Sequence, residues 1–229
     1  MDLVALGHTL SVWVLPVVLA ITLHEAAHAW MAERLGDDTA RRLGRVSFNP
    51  IRHVDPVGTL VLPGLLLLMQ APFLFGWAKP VPVAFHRLGN PKRDMIWVAL
   101  AGPGINIAMA LAAGLLLHVA VAFPGEVGIW VATNLANAIL VNVILAVFNM
   151  LPLPPLDGGR VLTGLLPLPL AIRYARLERY GLLILLGLLF VVPLLARELG
   201  LGFNPFAALL LPIIDATIRL VLLLAGQPI

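Results

Sequence analysis

Val12-Trp-Val-Leu-Pro-Val-Val-Leu-Ala-Ile-Thr-Leu23 runs straight into His24-Glu25-Ala26-Ala27-His28. The first twelve residues carry no charge, and the next five carry three polar groups. Twelve apolar residues leading into more of the same predict a long membrane helix. Residues four apart on a helix lie one above the other on the same face, so His24 and His28 present two imidazoles to one point. A glutamate beside the first can reach a water held there. His-Glu-x-x-His is the ligand-and-base pattern of zinc hydrolases. Imidazole and carboxylate at membrane depth are costly and mark a functional site.

Composition agrees with a bilayer setting. Of 229 residues, 60% are apolar and 12% charged, about half the charged share of a soluble domain. The polar surface is too small to cover a water-soluble globule. A net charge of +3 does not point to nucleic acid. With no cysteine in the chain, any metal must be held by His, Asp or Glu. Asp2, the lack of a basic leader and the unbroken apolar run argue against a cleaved signal peptide.

The rest reads as one all-α polytopic membrane domain, residues 1–229, with five to six transmembrane helices. Spans are expected at about 3–35, 94–123, 128–150, 180–195 and 205–224. The segment 57–75 is apolar but short and broken by Pro63, Gly64 and Pro72. Alternating Pro80-Val81-Pro82-Val83 follows it. Basic residues cluster at 34–45, 79–93 and 160–179, and all three connections should face the cytoplasm. That holds only if 57–75 is re-entrant, so a short re-entrant or β-like segment is expected between the first and second full spans. The same reasoning puts the C-terminus in the cytoplasm. His24 lies ten residues before Arg34, roughly 15 Å along a helix. The histidines therefore sit inside the cytoplasmic leaflet.

A catalytic zinc takes three protein ligands and leaves a fourth position open. The best third ligand is Asp157, in Asn149-Met-Leu-Pro-Leu-Pro-Pro-Leu-Asp157-Gly158-Gly159. Prolines stop the preceding helix, and the glycines let a turn pass close to its neighbour, so the carboxylate can point back into the bundle. Asn106 and Asn149 are polar groups near helix kinks or ends that can offer amide donors and acceptors. For Asn106 an interhelical hydrogen bond is an equal reading. Asn134, Asn137 and Asn142 read as packing groups, and His53 and Asp55 as a loop turn.

His-Glu-x-x-His in the first long helix, with Asn-x-x-Pro-x-Pro-x-x-Asp-Gly at 149–158, resembles the site-2 protease family of intramembrane zinc metalloproteases. Gly44-Arg-Val-Ser-Phe-Asn-Pro50, His53-Val-Asp-Pro-Val-Gly-Thr59, Gly76-Trp-Ala-Lys-Pro-Val-Pro-Val83 and Ala101-Gly-Pro-Gly-Ile-Asn106 extend the likeness over about 20–165. The resemblance implies a catalytic core at about 3–165 and C-terminal helices at about 180–224. It implies a minimal member, without PDZ or nucleotide-sensing domain, and the lack of a signal peptide or organelle address favours a prokaryotic cytoplasmic membrane. It implies one zinc per chain on His24, His28 and Asp157, and Glu25-assisted attack of zinc-bound water on a peptide bond in or near a transmembrane segment of a single-span substrate. Asn106 and Asn149 would contact the substrate backbone, and 46–48 and 81–83 could pair with it as an added strand. A non-catalytic zinc-binding membrane protein, whether pseudo-protease or metal carrier, is the alternative. Glu25 speaks against it, because a carrier needs ligands and not a base beside one. A broken-helix transporter would show an inverted repeat, and none is seen.

Overall fold

The computed structural model describes residues 3–69, 76–120, 122–200 and 204–228. All regular elements among them are helical. Helix α1 is Leu3–Arg34, and Gly36, at φ 108°, begins the turn after it. A π-helical stretch, Pro56–Val61, leads into α2, Leu62–Leu68. The long helices α3, Pro91–Ala120, and α4, Gly125–Asn149, follow. Two short helices come next, α5 at Asp157–Leu165 and α6 at Leu168–Ala175. Helix α7, Glu178–Glu198, has a π-helical stretch at Gly187–Val191, and α8 is Pro205–Leu224. Among the described residues, five helices are long and apolar enough to cross a membrane: α1, α3, α4, α7 and α8. The all-α polytopic reading therefore holds.

Lipid gives no hydrophobic drive for helix association, so close packing by small residues must supply it. Ala110, Ala113, Ile139, Val143 and Val221 form a core where α3, α4 and α8 meet. A Cβ on Gly114 would stand 2.8 Å from that of Ala225. Polar links add to this between the first half of α1 and the first half of α4. Asn137 donates to the Val12 carbonyl at 3.0 Å, and the Trp130 indole to Ser11 Oγ at 3.0 Å.

The three basic connections gather at one end. Arg87 pairs with Asp38 at 2.9 Å, Arg45 Nη2 donates to the Lys79 carbonyl at 2.6 Å, and the Arg160 guanidinium lies over the Phe85 ring. The described helical run, Pro56–Val61 with Leu62–Leu68, is shorter than the five long helices. Residues 70–75 of the segment 57–75 lie outside the described residues. Residues 76–84 are neither helical nor paired as a strand, so the β-like expectation is met only by irregular chain.

Two expectations fail. The C-terminus does not return to the basic end. His118 Nε2 bonds the Ala225 carbonyl at 2.8 Å, and Gln227 donates to the Gly114 carbonyl at 2.9 Å. The start of α8 instead shares a cavity with Leu100, Met150 and Pro152. Helix α8 thus runs parallel to α3. Apolar length cannot specify this, because it is blind to direction. Asp157 also sits on no free turn: it opens helix α5.

Candidate metal centre

Three elements converge on one point. Helix α1 contributes His24 and His28, 6% exposed each, and α5 contributes Asp157, 5% exposed. His24 Nε2 and His28 Nε2 lie 3.0 Å apart. Asp157 Oδ2 is 3.2 Å from the first and 3.3 Å from the second. The three sequence-predicted ligands are therefore together, with ligand atoms all within 4.8 Å of one another.

The far side of each ring sets its proton. His24 Nδ1 is 2.6 Å from Asn106 Oδ1, and His28 Nδ1 is 2.7 Å from the Val98 carbonyl oxygen. The amide of Asn106 is oriented by its own bonds, since Nδ2 donates to Asn142 Oδ1 at 2.7 Å and to the Ala20 carbonyl at 3.2 Å. Both partners of the imidazoles are acceptors, so each Nδ1 carries the hydrogen and each Nε2 keeps its lone pair. Three lone-pair atoms then face one another in a buried space. Asp157 Oδ2 accepts no hydrogen bond there. A buried carboxylate oxygen without a donor is costly, and a cation among the three removes that cost. Gly102 of α3 completes the cradle, because a Cβ there would collide with both imidazole rings. Two nitrogens and one carboxylate oxygen suit zinc, with a position left open.

Asp157 reaches the site through close backbone packing. The chain leaves α4 at Asn149 and enters α5 eight residues later, at Asp157. A Cβ on Gly158 would collide with the Met150 carbonyl. The two glycines are needed for this approach, although they lie inside a helix and not on a turn.

Glu25 is half-buried and is not one of the converging ligands. Its Oε2 accepts the Val81 N–H at 3.0 Å. Val81 is held in turn: its side chain packs with Ala29 and Ala40, and Lys79 is bonded on both sides, to Arg45 and to the His53 carbonyl at 2.8 Å. Burial pushes the Arg45 guanidinium down, and the nearby Glu25 carboxylate opposes that. Asp37, just beyond α1, is fully buried and accepts from Ala84 N at 2.6 Å and from Thr39. Burial alone would raise its pKa, but these donors and Arg87 hold it below the ordinary 3.8.

The sequence-predicted asparagines separate. Asn106 has no exposed surface, and its amide is committed to His24, Ala20 and Asn142. Asn149 is half-buried at the end of α4, where Nδ2 donates to the Leu145 carbonyl at 2.9 Å. His53 donates to the Ser47 carbonyl, and Asp55 caps the π-helical stretch through Val57 N and Gly58 N, as a loop turn would. Val98, Gly102, Asn142, Arg45 and the Val81 amide are additions to the reading. The signal for Gly102 was its place before Pro103 inside a span. A backbone carbonyl such as that of Val98 leaves no mark in a sequence. An apolar cavity of about 780 Å³ opens between α3, α4 and α8, lined in part by Leu100, Pro103, Met150, Leu210 and Ile213 and by none of the three clustered side chains.

The sequence model of peptidase family M50 matches residues 119–192, a stretch that includes Asp157. YwhC of Bacillus subtilis (strain 168), named as a zinc metalloprotease, is 38% identical over 185 residues, covering 79% of this chain and 80% of that protein. Rip2 of Mycolicibacterium smegmatis, also named as a zinc metalloprotease, is 31% identical over 182 residues, 79% of this chain and 66% of its own length. A shorter likeness, 40% over 65 residues, links the chain to a protein of the same description from Methanocaldococcus jannaschii. No solved structure matches significantly. With the His24, His28 and Asp157 cluster and these relatives in hand, the chain belongs to peptidase family M50, the site-2 protease family of zinc metalloproteases.

Proposed function

We propose that this metalloprotease is an intramembrane endopeptidase. It cleaves a peptide bond in or near the transmembrane segment of a single-span protein, in a prokaryotic cytoplasmic membrane and within the cytoplasmic leaflet. One zinc per chain is held by His24, His28 and Asp157. The observation that carries the reading is the buried ligand cluster on a helix long and apolar enough to cross a bilayer. The apolar cavity between α3, α4 and α8 suits a substrate that is itself apolar.

Zinc at this position would supply Lewis acidity to a scissile carbonyl and acidify an attacking water. The chain's residues do the rest. Asn106 and Val98 keep both Nε2 atoms free for the metal, and Gly102 leaves room for the rings. Glu25 stands next to the cluster with one carboxylate oxygen on Val81. Among the described residues its other oxygen has no partner. That oxygen takes the proton from the attacking water and passes it to the leaving amine. Asn149, at the end of α4, contacts substrate backbone freed by local unwinding, whereas Asn106 serves His24.

The test is cleavage of a single-span substrate in liposomes. Glu25→Gln should retain zinc and lose turnover by at least about 100-fold. Cleavage at the native rate in that variant overturns the reading.

A further inference from the structure

Prolines at 80 and 82 have no N–H, so Val81 is the single backbone donor of the stretch 80–82. That one donor lies 3.0 Å from Glu25 Oε2. The stretch cannot slide to offer another. A shift of one residue in either direction would put a proline nitrogen against the carboxylate. The stretch is also fastened on both sides. Before it, the Lys79 carbonyl accepts from Arg45, 8% exposed, and Lys79 N donates to the His53 carbonyl. After it, Ala84 N donates to the buried Asp37. Val81 itself is 7% exposed among Ala29 and Ala40. Four hydrogen bonds and the packing of Val81 therefore hold 79–84 against α1 and residues 37–53, and one of those bonds goes to the proposed base.

We infer that Val81 is a positioning residue for Glu25: its N–H fixes one carboxylate oxygen so that the other faces the metal cluster. Arg45 acts one step further out, by holding the Lys79 carbonyl and so the register of the segment. The inference deepens the protease reading and rests on the role given there to Glu25. A free glutamate on a helix visits several rotamers, and fixing one removes a search that the reaction would otherwise have to make.

Two measurements decide it. The first is amide hydrogen exchange at Val81 in 15N-valine-labelled full chain, in nanodiscs, comparing the wild type with Glu25→Ala. Loss of the acceptor should speed exchange at Val81 by at least about tenfold, and an unchanged rate overturns the inference whether or not the chain cleaves anything. The second is an ester in place of the Val81 amide, which deletes the N–H and keeps the side chain. The expected result is a kcat lower by about 10- to 100-fold, with KM and zinc content as in the wild type. Equal turnover overturns the positioning role. Faster turnover overturns it too, and would make the bond an inhibitory latch. If the ester-bearing chain does not fold, the exchange measurement still decides. If the wild type fails to cleave but Glu25→Ala speeds exchange, the protease reading fails and the contact stands.

Discussion

Asn106 shows how a residue can be legible in kind and not in role. Its position in an apolar helix marks it as bonded to something, and the resemblance pointed to substrate. The structure gives it no exposed surface and spends its oxygen on His24 Nδ1. Asn106→Leu should therefore act on the metal, weakening zinc affinity by about 10- to 100-fold, the usual range for an outer-shell partner. Competition with a chelator reads this directly, and unchanged affinity would remove Asn106 from the centre. His24, Glu25 and His28 were readable because a fixed four-residue spacing becomes a fixed geometry on a helix. Asp157 was readable only through its setting of prolines and glycines. Nothing in the sequence says that α4 and α5 pack closely enough to bring it within 3.3 Å of the imidazoles.

At the scale of elements, the segment 76–84 is the least legible part of the site. Its Pro-Val alternation does not make a strand, and its bonds are ties made with residues distant in the chain, several of them to side chains. Asp37 is one anchor, and its contribution can be measured. In Asp37→Asn an amide NH₂ would oppose either Ala84 N–H or the Thr39 donors, at a cost of about 2 kcal/mol. The pKa of Asp37 is lowered in the folded chain, so its stabilisation is complete above the unfolded value. It begins to fade near pH 3.8 and is gone once the pH has fallen through the lower folded value. Unfolding of wild type and variant in detergent should thus differ most at neutral pH and converge in strong acid. A constant difference would contradict the assignment. Helices α5 and α6 were also missed, because short helices between proline-rich connections carry too few turns to show a period.

For the whole molecule, hydropathy found the five long apolar helices, and charge placed the three basic connections together. Direction failed at the last helix, since α8 runs parallel to α3. What fixes it is the fit of small residues, Gly114 against Ala225, which hydropathy does not see. The absence of native cysteine makes the test clean. Single cysteines replacing Asn90 and Gln227 should label from opposite faces of a sealed vesicle, with position 90 on the cytoplasmic face. Labelling of both from one face would restore a C-terminus at the basic end.

The central claim is that His24, His28 and Asp157 hold one zinc ion inside the bundle, and X-ray absorption at the zinc edge of the purified, membrane-reconstituted chain tests it most directly. The account predicts one zinc per chain with two imidazole nitrogens and carboxylate oxygen at about 2.0–2.2 Å, and loss of most of the bound metal in Asp157→Ala. A wild type that binds no zinc, or an Asp157→Ala variant with unchanged metal content and coordination, would contradict it.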